Sequence, residues 1–288
     1  MKNSLKLCGW QIHHQEKLLF RANVGNPVIQ LKFFHYSTYR QTVRIDKFPS
    51  QCKLKVKGNN SFFLFQHKVR TKGTIPLDRI ITIIPIPSSI NPKDDWGKIS
   101  SFSRSLQRKY QQSSKYWPVK SASIRDVSKQ EWFGADDLSH WIQSASRYII
   151  AKIRYREKQE KRLGADQAFL RGIGDCDEFT DLFITFARMR GIPCRRLTGY
   201  FIAGKGALAE AHAWGEILSP RIGWITTDIA LNNIGNHRIN YVILKIEEFN
   251  PALPDYLIQT RHSSTVHYQW ERPDPIITPV YCELSSEN

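Results

Sequence analysis

The chain has 288 residues, 41% hydrophobic and 24% charged, which excludes an intrinsically disordered chain and suggests two domains, or one domain with a large extension. The net charge is +16, but residues 1–130 hold 24 Lys and Arg against 6 Asp and Glu, while residues 131–288 hold 18 against 20. A boundary near residue 130 follows, and any acidic partner is expected on the basic N-terminal half.

The N-terminus starts basic but lacks the apolar stretch and small-residue cleavage site of a signal peptide. No apolar run approaches the roughly 20 residues of a membrane helix. An intracellular, cytoplasmic protein without membrane contact is therefore the expectation. Residues 1–90 form the first domain. Over 18–90, short alternating stretches such as Lys53-Leu54-Lys55-Val56-Lys57 and the β-branched run Ile80–Ile84 are broken by Gly, Asn and Pro. They predict an antiparallel, sandwich-like β domain, with the lysines on the solvent side. Residues 91–130, rich in Pro, Ser, Lys and Gln, read as a linker with one short helix around Ser101–Tyr110.

The pattern then turns helical. Leu138, Trp141, Ile142, Ala145, Tyr148, Ile149 and Ile153 recur at spacings of three and four behind a capping Asp136 or Asp137. Residues 156–175 are polar and loop-like, with one turn expected around Ala165–Leu170. A second helix begins at or beside Cys176, with the stripe Phe179, Leu182, Phe183, Phe186 and Ala187, and stops at Gly191 and Pro193. Strands follow at Arg196–Ala203, Ala211–Leu218, Ile222–Asp228 and Tyr241–Ile246. The catalytic domain is thus 131–249, and 250–288 is a C-terminal extension with a last strand at Ile276–Glu283.

The five cysteines are odd in number, widely spaced and without a CxxC pair, which argues against a disulfide framework or a zinc site and suits a reducing compartment. Cys176 alone has a chemically useful predicted setting. A helix N-terminus favours a thiolate, and its free N–H groups can receive an oxyanion. Cys194 reads as buried filler. A thiol nucleophile needs a base and a third group to hold the base. His212 and, 16 residues on, Asp228 supply both if their two strands pair through the turn at 219–223, which sets them opposite or nearly so. Each residue alone has a commoner structural role; their order and flanks make the case. Asp175, Asp177, Glu178 and Asp181 crowd the nucleophile and oppose a thiolate. Their spacing fits no known calcium loop, so no cofactor or metal is expected. Arg188, Arg195 and Arg196 are read as structural ion-pair partners.

The segment Gly174-Asp175-Cys176-Asp177-Glu178, followed by Arg188, Gly191-Ile192-Pro193-Cys194-Arg195 and Thr198-Gly199-Tyr200, resembles the nucleophile helix of the transglutaminase-like superfamily. His212-Ala213-Trp214-Gly215-Glu216 and Gly223-Trp224-Ile225-Thr226-Thr227-Asp228 resemble its His and Asp elements. The resemblance covers about 135–235. The N-terminal strands are similar, more weakly, to the sandwich often fused in front of this domain. The resemblance implies a papain-like α+β core in which a helix carrying Cys packs on an antiparallel sheet carrying His and Asp. It also implies acyl chemistry on peptide or protein amides through a Cys acyl-thioester. Hydrolysis is preferred slightly over transglutamination as a prior. Gln167 and Tyr155 are candidate oxyanion or substrate residues, and Trp214 is a core residue with a lesser option as a groove wall. The alternative is a catalytically silent binding module whose basic N-terminal half docks an acidic protein or nucleic acid.

Overall fold

The structure is a computed structural model that describes residues 5–22, 28–50, 52–57, 60–68, 72–91, 93–157, 161–204, 209–249, 256–261 and 266–283. The chain opens with strands β1 (Leu5–Ala22), β2 (Val28–Ser37), β3 (Gln41–Lys47), β4 (Cys52–Lys57), β5 (Asn60–Lys68) and β6 (Lys72–Pro85). Helices α1 (Arg104–Tyr110), α2 (Leu138–Lys152), α3 (Ala165–Arg171) and α4 (Cys176–Arg190) follow. Then come β7 (Cys194–Ile202), β8 (Ala209–Ser219), β9 (Gly223–Asp228), β10 (Tyr241–Glu247), β11 (Tyr256–Arg261), β12 (Val266–Glu271) and β13 (Ile276–Glu283). Among the described residues no helix is long and apolar enough to cross a membrane.

The first module is an antiparallel sandwich, because its strands bury alternate apolar residues between two sheets. One sheet runs β12-β1-β6-β3, with β13 on the other half of β1; the second runs β11-β2-β5-β4. Leu18, Phe20, Ile75 and Leu77 from the first meet Cys52 and Phe63 from the second. Lys53 and Lys55 face solvent, but so do Leu54 and Val56, because β4 is an edge strand that reaches the core only at its first residue, Cys52.

Two boundaries read from the sequence change. The tail expected as a separate extension pairs back onto the N-terminal strands: β12 and β13 flank β1, and β11 flanks β2. The sandwich is therefore built from both ends of the chain. The segment 91–130, expected as a linker, is core. Trp96, Ile99, Phe102, Trp117, Ile124 and Val127 are buried with the helices. Its polar composition hid this, because isolated apolar anchors lack a helix or strand period. The expectation of unpaired cysteines is also corrected. The pairing of β1 with β13 brings Cys8 and Cys282 together as a disulfide with a Cα separation of 5.9 Å. Strand pairing makes neighbours of two residues that spacing could not relate.

The second module is an α+β core. An antiparallel sheet runs from Asn233–Ile234 through β9, β8 and β7 to β10, and α4 packs on β8 and β7. Asp137 caps α2 by accepting the His140 N–H at 2.7 Å, and Gly191 ends α4 in the left-handed region at φ 78°. The expected apolar stripe is one face of α4, yet residues 178 to 188 are all buried. The other face carries Glu178, Asp181 and Arg188, which need partners inside the protein. Asp181 accepts from Trp117 Nε1 at 2.8 Å and from Arg162 Nε at 2.7 Å, and it pairs with Arg196. Arg196 also pairs with Asp177 and Glu247.

Behind the sheet, Trp10, Ile12, Ile81 and Ile83 of the sandwich pack on Ile202 and Val242. Gln41 Nε2 donates to the Ile243 carbonyl, and its Oε1 accepts from the Ile243 N–H. The two modules are thus joined by core and by hydrogen bonds from the Gln41 side chain to the Ile243 main chain.

Two outcomes are expected. Alkylation of unfolded protein without reductant modifies three cysteines (Cys52, Cys176 and Cys194) by mass spectrometry, and all five after reduction; five in both would remove the Cys8–Cys282 bond. Arg196→Met strands two or more buried carboxylates and lowers unfolding stability by about 3–5 kcal/mol in urea melts; a loss under 1 kcal/mol would mean that the network carries little.

Candidate active site

Cys176 is the first residue of α4, and the sequence fixes that start. Asp175 takes the N-cap position and accepts the Asp177 N–H at 2.9 Å. Glu178, fully buried, reaches back to the Asp175 N–H at 3.1 Å and also takes the Leu163 N–H at 2.7 Å. This capping box ties the 161–164 loop to the helix end. Gly174 is required there: a Cβ on it would lie 2.3 Å from the Glu178 side chain. Burial pushes the Glu178 carboxyl up to about 7.

His212 lies on β8 opposite Gly199 of β7. A Cβ at Gly199 would meet the Val242 carbonyl at 1.8 Å, so only glycine lets β7 and β10 approach this closely. The β8–β9 register pairs Gly215 with Thr227; continued by one residue, it sets Asp228 across from Trp214. His212 shares the face of Trp214, so its contact with Asp228 is diagonal. His212 Nε2–H donates to Asp228 Oδ2 at 2.7 Å, which leaves Nδ1 for the thiol. Burial opposes a charge on the imidazole, but its hydrogen bonds to Asp228 and then to Cys176 outweigh that and push its pKa up to about 10.

Asp228 is fully buried and well supplied with donors. Besides His212 it accepts from the Tyr241 hydroxyl at 2.8 Å and from the Leu231 N–H at 3.1 Å. Tyr241 in turn accepts from Asn233 Nδ2 at 2.9 Å. Sequence reading missed Tyr241 and Asn233, because their link to Asp228 arises only from the pairing of the sheet.

The other predicted site residues separate. Tyr155 is half exposed beside Cys176, against Phe179 at 5.9 Å between ring centroids. Burial first, then the charges of Cys176, Asp175, Glu157 and Glu210, raise its phenol to about 12. Trp214 is fully buried and stacks on the His212 ring, with centroids 5.9 Å apart at 19°; it braces the imidazole from behind. Gln167 is exposed on α3 and does not line the cleft at Cys176.

Of the acidic groups that crowd the helix start, Asp177 and Asp181 face inward. Burial works against the Asp177 charge, but the Arg196 guanidinium beside it holds its carboxyl below the usual value. Ligand atoms of Asp175, Cys176 and Asp177 lie within 4.8 Å of one another. The two carboxylates are already engaged, one as helix cap and one with Arg196, so they do not form a ready metal cradle.

Residues 128–229 match the family model of the transglutaminase-like superfamily. A candidate cysteine protease from Cytophaga hutchinsonii has a similar structure, with a TM-score of 0.60 at 16% identity over 96% of this chain and 98% of its own. That likeness shows a common fold which includes the sandwich. The periplasmic domain of TgpA from Pseudomonas aeruginosa, bound to ethylmercury, has a TM-score of 0.38 at 13% identity over 80% of this chain and 91% of its own. No curated protein matches the chain.

The raised imidazole has a consequence for stability. Its folded value of about 10 lies above the ordinary 6.5, so its contribution is present in full below pH 6.5 and is lost as the pH rises through 10. The fall of Tm between pH 7 and 10 is expected to be shallower in Asp228→Asn than in the wild type by calorimetry. Equal slopes would mean that Asp228 does not hold the imidazolium.

Proposed function

Because residues 128–229 match the family model of the transglutaminase-like superfamily, we propose that the chain is a thiol-dependent enzyme that attacks peptide or protein amides with Cys176. The observation that carries this reading is the position of His212, held by Asp228 at 2.7 Å through Nε2 and coupled to the Cys176 thiol on its other side.

The step follows from that order. Cys176 Sγ adds to the amide carbonyl while its proton resides on His212 Nδ1. The oxyanion that forms is met by the Cys176 N–H at the start of α4, because the Asp177 N–H is already taken by the cap. Collapse expels the amine, which takes the proton from His212, and leaves an acyl-thioester. Water then gives a proton to His212 and attacks the thioester, and the acid leaves as the thiol is restored. Hydrolysis is preferred over transfer to an amine; the description of the Cytophaga neighbour points the same way. The Cys8–Cys282 bond supports an oxidising compartment in place of the cytoplasm expected from the sequence.

The test is iodoacetamide labelling of the folded protein at pH 6–7, with mass spectrometry to locate the adducts. Cys52 and Cys194 are buried, and burial raises each thiol to about 11, so they serve as internal references. Cys176 is expected to react at least about tenfold faster than either, and to lose that advantage in His212→Ala. Labelling of Cys176 no faster than Cys52 would sink the enzyme reading. A binding module that docks an acidic partner on the basic N-terminal half would take its place.

A further inference from the structure

The cleft that holds the nucleophile has a charge opposite to that of the molecule. It measures about 460 Å³ and is lined by Glu157, Asp175, Glu210 and Asp274 together with Tyr155 and Cys176, and no described lysine or arginine lines it. The chain as a whole carries 42 basic residues against 26 acidic ones, so its composition would favour the reverse.

The four carboxylates come from separate parts of the fold. Asp175 caps the nucleophile helix. Glu157 follows the short parallel pairing of Arg154–Tyr155 with Ile173–Gly174. Glu210 lies two residues before His212 on β8 and so shares its face. Asp274 lies between β12 and β13, on the sandwich, so the accessory module supplies part of the catalytic cleft wall. Among the described residues Glu157, Glu210 and Asp274 form no ion pair, whereas the inward carboxylates Asp177, Asp181, Glu216 and Glu247 each have an arginine. The charges of Asp175, Glu157 and Glu210 also converge on the Tyr155 phenol beside the thiol. Past Tyr155, an adjoining hollow of about 560 Å³ is lined by Lys152 and Arg154. The negative field is therefore local to the nucleophile's side of that ring.

We infer that this cleft selects a cationic group, such as a lysine or arginine side chain of a peptide substrate, next to the amide that Cys176 attacks, with Glu157, Glu210 and Asp274 setting the preference. The inference rests on the proposed thiol chemistry and names its substrate class. Separate carboxylates facing one small volume repel one another when it is empty and are stabilised together by one cation. Asp274 makes the preference depend on the sandwich, which gives that module a part in catalysis.

The experiment has two arms. In the first, Cys176 of the folded protein is modified by methanethiosulfonates carrying a trimethylammonium, a neutral hydroxyl or a sulfonate group. The cationic reagent is expected to react about tenfold or more faster than the anionic one, relative to their rates with free cysteine. The ratio should fall toward one in the triple variant Glu157→Gln, Glu210→Gln, Asp274→Asn. All three positions are exposed, so the fold should survive, and circular dichroism checks this. In the second arm, fluorogenic peptide amides with Lys or Arg near the scissile bond are compared with Glu-containing ones, and kcat/KM is expected to favour the basic peptides in the wild type and not in the triple variant. Equal rates for the charged reagents, or a ratio unchanged by the triple variant, would overturn the inference whatever the peptides do. A reagent preference with no cleavage of any peptide would overturn the enzyme reading and leave the cation preference standing. Cleavage without preference for basic peptides would overturn the substrate class alone.

Discussion

The position of Cys176 depends on a buried carboxylate five residues further along the same helix. Asp181 is fully enclosed, and it is held by Trp117 from the 91–130 segment, by Arg162 from the loop before α3 and by Arg196 from β7. Arg196 extends the contact to Asp177 and to Glu247 of β10. A buried pair adds little stability over a well-packed apolar alternative, but it leaves one arrangement in which every charge has a partner. Here that arrangement fixes the rotation and axial position of α4 against the sheet. The inward carboxylates are neutralised below the helix, and the outward ones are left facing the cleft.

Asp228 plays the corresponding part on the sheet. Its two oxygens collect three donors, His212, Tyr241 and the Leu231 amide, and Trp214 stacks behind the imidazole. Tyr241 and Trp214 belong to a cluster with Leu197, Ile243 and Ile246, against which Tyr39 of the sandwich packs. Glu216, buried on the same strand as His212, takes hydrogen bonds from Tyr39 and Arg195. His212 is therefore braced from the sandwich, which acts as a backing plate for the sheet.

What the sequence made legible follows from which forces are local. The capped start and glycine stop of α4, the stripe of α2 and the four strands of the second module were readable, because caps, turns and periodicity act over a few residues. The order of Cys176, His212 and Asp228 was readable through motif flanks. The diagonal geometry of His212 and Asp228 was not, because it depends on a register in which Trp214 takes the opposing place. The 91–130 segment misled because Trp96 and Trp117 are anchors without a period. The tail misled because strand partners 274 residues apart, as at Cys8 and Cys282, leave no local trace. Gln167, named as a candidate oxyanion or substrate residue, faces solvent on α3.

The same division explains how one molecule can be strongly basic and have an acidic cleft at Cys176. Net charge is a sum over the whole surface and says nothing about a single concavity, where a few groups on low-dielectric walls dominate the local field. Glu157, Glu210 and Asp274 lie far apart in sequence and have unremarkable flanks, so no motif marks them. They become a set only when β1 takes β12 and β13 as partners and brings the loop between them to the cleft at Cys176. The inward charges hold the helix and the outward charges face the ligand. Asp177, Asp181, Glu216 and Glu247 each have an arginine beside them, and Glu157, Glu210 and Asp274 face the cleft.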